Sequence, residues 1–171
     1  MSKKPSAGTN LESLMNMLAD KDGMIRQKAR RSLVALGKPA VSSLIKALRD
    51  SASDQVRWEA AKALGAIGDT RSIPPLVKAL ADSNSDVAWV VAEALRKFEK
   101  TAWPPLLRAL MKNEPNSGPL HQGAHHVLRN QKEDGYDDLL ATLMHALEHD
   151  ALSESAMVAA HEILKRMKAK P

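Results

Sequence analysis

The sequence predicts an all-α protein, a solenoid of about five helix–turn–helix repeats stacked side by side. The first observation is composition: 44% of the residues are hydrophobic but only 3% are aromatic, and Ala and Leu favour closely packed helices. The second is that two kinds of segment alternate, each with apolar residues at helical spacing. The third is a step of 31 residues between the first three copies of one kind, which is typical of a repeat array.

The first kind of segment has apolar residues at positions i, i+3, i+4 and i+7, the pattern of an amphipathic helix. Its four copies are residues 11–20, 41–50, 73–82 and 103–112. Two copies carry a proline pair, at 74/75 and at 104/105. Because proline is tolerated in the first turn and disrupts the interior, these pairs predict where the two helices begin.

The second kind of segment carries a small residue followed four positions later by Leu. The five pairs are Ala29/Leu33, Ala60/Leu64, Val91/Leu95, Ala124/Leu128 and Ala160/Leu164. A small side chain lets a neighbouring helix approach closely, and the Leu fills the space one turn on. Gly37 and Gly68 follow these apolar runs and predict helix C-caps. Asp54 and Asp86 precede the next helices of this kind and predict N-caps.

The step lengthens to 33 and then 36 residues in the last two copies, which predicts looser repeats with inserts near 113–119 and 132–135. Flexible tails are predicted at 1–9 and 168–171. The predicted domain runs from 10 to 167, with repeats at 10–37, 38–68, 69–100, 101–131 and 132–167.

Composition also restricts the function. There is no cysteine, so thiolate metal sites and disulfides are excluded. No apolar run is long enough to span a membrane, and the first residues lack the apolar stretch of a secretory signal, so the expected location is the cytoplasm. Residues 1–69 hold 12 basic and 7 acidic side chains, which accounts for the net charge of +5. This basic third could attract an acidic partner or a phosphate backbone, or it could be a solvated face.

Residues 56–80 read VRWEAAKALGAIGDTRSIPPLVKAL. This segment closely resembles HEAT-like repeats of the phycobilin-lyase type, and the resemblance is strongest over residues 38–98. It implies a right-handed superhelix in which first helices lie on the convex side and second helices line a concave groove. It does not imply one activity, since the family includes bilin lyase subunits, metal-dependent hydroxylases, DNA glycosylase relatives and adaptors.

The resemblance also implies which side chains face the groove: the two positions after the Val-Arg pair of each second helix, and the position three or four residues further on. The predicted partner-binding residues are Gln27, Lys28, Arg31, Trp58, Glu59, Lys62, Trp89 and Glu93. Trp58 and Trp89 share one column, one repeat apart. They are candidate anchors for a peptide, or alternatively rings that cover the contact between repeats. The mixed charges beside them favour a protein partner over nucleic acid.

All six histidines lie between 121 and 161, and two i, i+4 pairs have a spacing compatible with a metal: His121/His125 and His145/His149. Hydroxylases of this family place a His-Glu pair at the groove columns. The corresponding pairs here are Trp58-Glu59, Trp89-Val90 and Gln122-Gly123, and the one His-Glu dipeptide, 161–162, is out of register. No metal site and no cofactor are therefore predicted.

Catalytic residues are not predicted either. Glu59 beside Trp58, with Lys28 and Arg31 one repeat earlier, is only a loose approximation to a glycosylase pocket. The chain contains neither a P-loop nor a nucleophile elbow. The sequence thus predicts a non-enzymatic adaptor that binds a protein or peptide in its groove. The alternatives are nucleic-acid binding through the basic third, and a bilin-lyase-like or other small enzyme subunit.

Overall fold

The structure is a computed structural model that describes residues 7–112, 118–149 and 152–169. These residues form helices, turns and short links, and no strand occurs among them. The prediction of an all-α solenoid is confirmed. The ten α-helices of the described residues are α1 (Ala7–Met17), α2 (Gly23–Leu36), α3 (Lys38–Asp50), α4 (Asp54–Ile67), α5 (Ile73–Ala79), α6 (Ser85–Arg96), α7 (Trp103–Met111), α8 (Gly118–Leu128), α9 (Asp137–Glu148) and α10 (Glu154–Ala169).

The first eight helices form two layers. In one layer α1, α3, α5 and α7 contact each other in succession, and in the other α2, α4, α6 and α8 do the same. Each helix also contacts the other member of its own hairpin. This arrangement buries the apolar stripe of each helix against its neighbours, which no single repeat can do alone.

The small-residue and leucine pairs form the centre of this core. The pairs at 29/33, 60/64, 91/95 and 124/128 are all buried, as predicted. The fifth pair is shifted by one position, because Ala160 and Ile163 are buried whereas Leu164 is only partly covered.

Helix ends follow the local sequence. Prolines occupy the first turns of α5 and α7, and Gly37 and Gly68 are the C-caps of α2 and α4, with φ of 68° and 71°. Both predictions are confirmed. Gly37 combines its positive φ with a ψ of −133°, a region that side-chain-bearing residues avoid.

The predicted N-caps were wrong. Ser53, not Asp54, caps α4 and accepts a hydrogen bond from the Val56 amide. Asn84, not Asp86, caps α6 and accepts from the amides of residues 86 and 87. The link before each of these helices contains several residues that can cap a helix, and the residue that does so lies before the predicted aspartate. The two aspartates therefore stand in the first turn, where a carboxylate still interacts favourably with the helix dipole.

The last hairpin departs from a regular stack. Here α9 packs on α8 and α10 packs on α7, so the two helices exchange layers relative to the earlier repeats. The exchange follows the predicted insert at 132–135, where Gly135 has a φ of 83°. Tyr136, which comes next, is buried with its ring edge toward Trp103 at 5.9 Å between centroids.

The structure shifts both predicted boundaries. Helix α1 begins at Ala7, inside the segment predicted as a tail, and α10 continues to Ala169. Residues 1–6, 113–117, 150–151 and 170–171 lie outside the described residues, and so does most of the predicted insert at 113–119.

Candidate functional site

The second-layer helices form a cleft of about 480 Å³ between α2, α4 and the first turn of α6. Four of the predicted partner-binding residues line it: Gln27, Trp58, Glu59 and Lys62. The other residues of this lining are Gly23, Met24, Arg26, Arg30, Asp54, Gln55, Asn84, Asp86 and Val87. We refer to it as the Trp58 cleft.

Trp58 lies in the wall of this cleft, with two cations near its ring. The Lys62 Nζ is 4.3 Å from the ring centroid, and the Arg30 guanidinium carbon is 5.8 Å from it. Lys62 is one helical turn after Trp58, so its side chain extends over the ring. The tryptophan ring is partly buried against the core. It therefore covers the contact between repeats on one side and faces the cleft on the other, so both roles considered for it apply.

Glu59 is buried beneath the cleft rather than exposed on it, with 3% of its surface accessible. Its carboxylate forms an ion pair with Arg30 and lies 3.5 Å from the Arg26 Nε. The position of Glu59 in the repeat faces the preceding second-layer helix. Lys28 holds the same position in α2 and is exposed because no described helix precedes that hairpin.

Arg26 and Arg30 were missed by the sequence analysis, which assigned Lys28 and Arg31 to the groove from α2. Positions 26 and 30 face the following repeat, whereas 28 and 31 face away from it. The signal for Arg26 was its repeat position, which Arg57 shares, whereas Arg30 had no such signal because the equivalent residue one repeat later is Ala61. Arg26 donates to the carbonyl oxygens of Asp20 and Lys21, at 2.8 and 3.0 Å, and so holds the preceding link.

Arg57, the equivalent of Arg26 one repeat later, joins two repeats. It donates to the Ser51 carbonyl at 2.9 Å and forms a two-point ion pair with Asp82 at 2.7 and 2.9 Å. This pair raises the pKa of Arg57. Asp82 also accepts from the Asn84 amide, so the pair fixes the link in front of α6. The role of Arg57 is structural.

Trp89 lies one repeat after Trp58 on α6, with 58% of its surface exposed. Its ring is 6.0 Å from the His126 ring, between centroids. His126 Nε2 is 2.6 Å from the Glu93 carboxylate, which also accepts from Arg96 at 3.0 Å. We call Trp89, Glu93, Arg96 and His126 the Trp89 cluster. Two predicted residues, Trp89 and Glu93, are thus brought together with a histidine from the next repeat.

The contacts of Glu93 in this cluster predict that its contribution to the stability of the fold depends on pH. The hydrogen bond from His126, aided by Arg96, lowers the pKa of Glu93 below its ordinary value of 4.5. A lowered carboxylate pKa in the folded state stabilises the fold above the unfolded-state pKa, and that contribution disappears as the pH falls through the folded-state value. We expect His126→Ala to move the Glu93 pKa upward, as measured by carboxyl ¹³C NMR titration. An unchanged Glu93 pKa in the variant would contradict the contact.

The histidines do not converge on a metal site. His125 faces Glu148 at 3.5 Å, His121 is buried in α8, and the exposed rings of His145 and His149 meet edge to face at 4.7 Å. Across residues 7–112, 118–149 and 152–169, no group of three or more potential ligands is placed to hold a metal ion. Within the same residues, no helix is both long and apolar enough to cross a bilayer.

Comparison with known proteins agrees with this architecture. No curated protein matches the chain. The solved complex of CpcE and CpcF of phycocyanin lyase from Nostoc sp. PCC7120 is similar over all of this chain and 70% of its own, with a TM-score of 0.50 and 21% identity. At that identity the similarity concerns the fold alone. The family described as HEAT repeats matches residues 41–126, half of the sequence. The chain therefore belongs to the HEAT-repeat family.

Proposed function

We propose that this protein is a non-enzymatic adaptor that binds a protein or peptide along the second-layer face, across the Trp58 cleft and the Trp89 cluster. The observation that carries the proposal is the exposure of Trp89, a large ring left 58% accessible on α6. Tryptophan is rarely left exposed without a role, and it is strongly enriched where a few residues supply most of a binding energy.

The surroundings support this assignment. Met24, 71% exposed, lines the opposite side of the Trp58 cleft, so apolar surface is present on three successive second-layer helices. Neighbouring packed helices are about 8–10 Å apart, so Trp58 and Trp89 offer contacts at roughly that interval. A bound segment could meet both with residues seven apart in a helix or three apart in an extended chain.

Catalysis is not part of this function because the two glutamates of this face, Glu59 and Glu93, have structural partners. Glu59 forms ion pairs with two arginines, and Glu93 forms ion pairs with Arg96 and His126. Neither carboxylate is positioned as a free acid or base. The likeness to the phycocyanin lyase complex supports the fold, and a lyase-like role has no observation of its own in this chain.

The experiment is selection of binding peptides from a displayed library, followed by titration of each peptide into the protein. Of the three tryptophans, Trp103 is buried with 1% exposure, so changes in emission and in acrylamide quenching report mainly on Trp58 and Trp89. We expect bound peptides to protect Trp89 from quenching. Trp58→Ala combined with Trp89→Ala should weaken binding at least about tenfold, a typical loss for residues at the centre of an interface.

The matched control is Val158→Ser on α10, which removes an apolar side chain that is 63% exposed and lies outside both sites. It should bind peptides as the parent protein does. Circular dichroism should show nearly unchanged helicity in both variants. Peptides that bind the double tryptophan variant with unchanged affinity would contradict the proposed groove.

A further inference from the structure

The first layer also carries a cleft, of about 560 Å³, between α3 and α5. It shares no lining residue with the Trp58 cleft. Its volume lies within the range of about 300–1,000 Å³ that is typical of small-molecule sites. Its lining includes six apolar residues: Ile45, Leu48, Pro74, Pro75, Ala79 and Ala81. We refer to it as the α3–α5 cleft, a second site that is separate from the proposed groove.

The apolar wall of this cleft is partly open to solvent. Pro74 and Pro75 occupy the first turn of α5, where Pro74 is exposed and Pro75 half-buried. Proline has no backbone N–H to donate, so this turn presents ring carbons without a backbone donor. Ile45 and Ala79 are half-buried beside them, over the buried Leu48. The proline pair therefore adds apolar surface to the cleft besides starting the helix.

The charged residues of the lining are three basic side chains and one acidic side chain: Arg49, Arg57, Lys78 and Asp82. Arg57 is paired with Asp82, as described above. Arg49 is paired with Asp50, which lies outside this lining. Lys78 is exposed and forms no ion pair within the described part of the chain. The cleft thus has a positive excess and one cation available to an anionic ligand.

The preceding repeat carries an equivalent groove, of about 440 Å³, between α1 and α3. We call it the α1–α3 groove. Lys46 lines it at the repeat position that Lys78 occupies in the α3–α5 cleft. Lys46 is its one basic lining residue, whereas Glu12 and Asp50 are both acidic. Because the two sites are similar in shape and opposite in the sign of their excess charge, an anion should distinguish between them.

We propose that the α3–α5 cleft binds a small anionic amphiphile, a free carboxylic acid with an apolar body. The apolar body lies against Ile45, Ala79 and the proline pair, and the carboxylate meets Lys78. Lys78 follows Pro74 and Pro75 by four and three residues, so it lies on their face of α5, within reach of the same molecule.

The size of the cleft favours a small molecule over a protein. Helix α5 has seven residues, which is about 10 Å at 1.5 Å per residue. A stable protein partner usually covers about 800 Å² of each surface, far more than a cleft along so short a helix offers. The inference is independent of the peptide groove on the other layer.

The test is titration of the full chain with octanoate, followed by ¹H–¹⁵N NMR. Octanol and octylamine are the comparison probes, because they have the same apolar chain with no charge or a positive charge. We expect octanoate to shift the amides of Ile45, Ala79 and Ser83. Octanoate should bind at least about fivefold more tightly than octanol, the effect of one exposed ion pair, and octylamine should bind most weakly.

Two variants test the residues, each with a matched control one repeat earlier. Lys78→Glu should weaken octanoate binding at least about fivefold. Lys46→Glu makes the same change of charge in the α1–α3 groove and should leave the affinity within about twofold. Ala79→Leu should fill the cleft and weaken octanoate and octanol alike, whereas Ala47→Leu, its equivalent in the α1–α3 groove, should weaken neither.

Several outcomes would overturn the inference. Equal affinity for octanoate and octanol, or equal effects of Lys78→Glu and Lys46→Glu, would refute the anionic class. Binding only where octanoate forms micelles would refute a site for single molecules. Lys78-dependent sedimentation with phosphatidylglycerol vesicles would assign the cleft to a membrane lipid instead of a free acid.

The double tryptophan variant separates this site from the proposed function. Trp58→Ala with Trp89→Ala should bind octanoate as the parent protein does, because both rings belong to the other layer. A loss of octanoate binding in that variant would place the ligand on the second layer and overturn the α3–α5 site. A loss of peptide binding alone would leave both sites in place.

Discussion

Replacing Gly65 with alanine is expected to destabilise the protein by about 3 kcal/mol, at the upper end of the cost of overpacking a core. In an ordinary helix interior the same change stabilises by roughly 0.5–1 kcal/mol, because alanine loses less backbone entropy than glycine. The sign reverses here because a Cβ on Gly65 would lie 2.6 Å from the Ala94 Cβ and 2.8 Å from the Ala94 Cα. The obstacle includes backbone, so α4 and α6 would have to move apart.

Urea unfolding followed by circular dichroism measures this effect. Gly123→Ala is the matched control, because a Cβ there would meet the Leu80 side chain, with the nearest atom at 2.8 Å. The Leu80 Cδ2 can rotate away, but the Leu80 Cβ, 3.0 Å from the same point, is held by the backbone, so the loss should be about 1–2 kcal/mol, smaller than for Gly65→Ala. Adding Ala94→Gly to Gly65→Ala should recover part of the stability. A neutral or stabilising Gly65→Ala would show that the two helices are not in such close contact.

Replacing Glu59 with alanine is expected to cost about 3 kcal/mol, the lower end of the range for breaking a buried ion pair. The carboxylate side chain is only 4% exposed, and those of Arg26 and Arg30 are 19% and 15% exposed. Removing Glu59 would leave two mostly buried guanidiniums without their anion. The residual exposure of both arginines, and the carbonyl contacts of Arg26, keep the cost from being larger.

Urea unfolding again gives the measurement, with Glu93→Ala as the control. Glu93 belongs to the same layer and has two cationic partners, but its side chain is 34% exposed, so its loss should be below about 1 kcal/mol. Glu59→Leu with Arg30→Met replaces one ion pair by apolar groups of similar size, and should be less destabilising than Glu59→Ala. Equal stability of the Glu59→Ala and Glu93→Ala variants would refute the buried role of Glu59.

Both changes concern residues whose role the sequence did not specify. Gly65 is one of three small residues within a run from Ala63 to Ala66, and nothing in that run identifies which of them contacts the next helix. Nothing in the residues adjacent to Glu59 in the sequence distinguishes it from an exposed glutamate. Its burial depends on Arg30, which is 29 residues away and belongs to another helix.

The local features could be predicted from the linear sequence: helices with prolines in their first turns, glycine C-caps, and the buried pairs of the first four repeats. Each of them depends on short-range sterics, on local hydrogen bonding or on a periodic apolar stripe. The linear sequence therefore contains the information that specifies them. It also placed Trp58 and Trp89 one repeat apart on a common face.

Burial at equivalent repeat positions depends on tertiary packing, which the linear pattern does not contain. Lys28 and Glu59 share a repeat position, yet one is exposed at the edge of the described array and the other lies between two helices, because burial depends on whether a neighbour is present. Trp58 is covered by Arg30 and Lys62, whereas the equivalent positions one repeat later are Ala61 and Glu93, and Trp89 stays exposed. Tertiary packing also exchanges the layers of α9 and α10, since contacts between hairpins join residues that are distant in sequence.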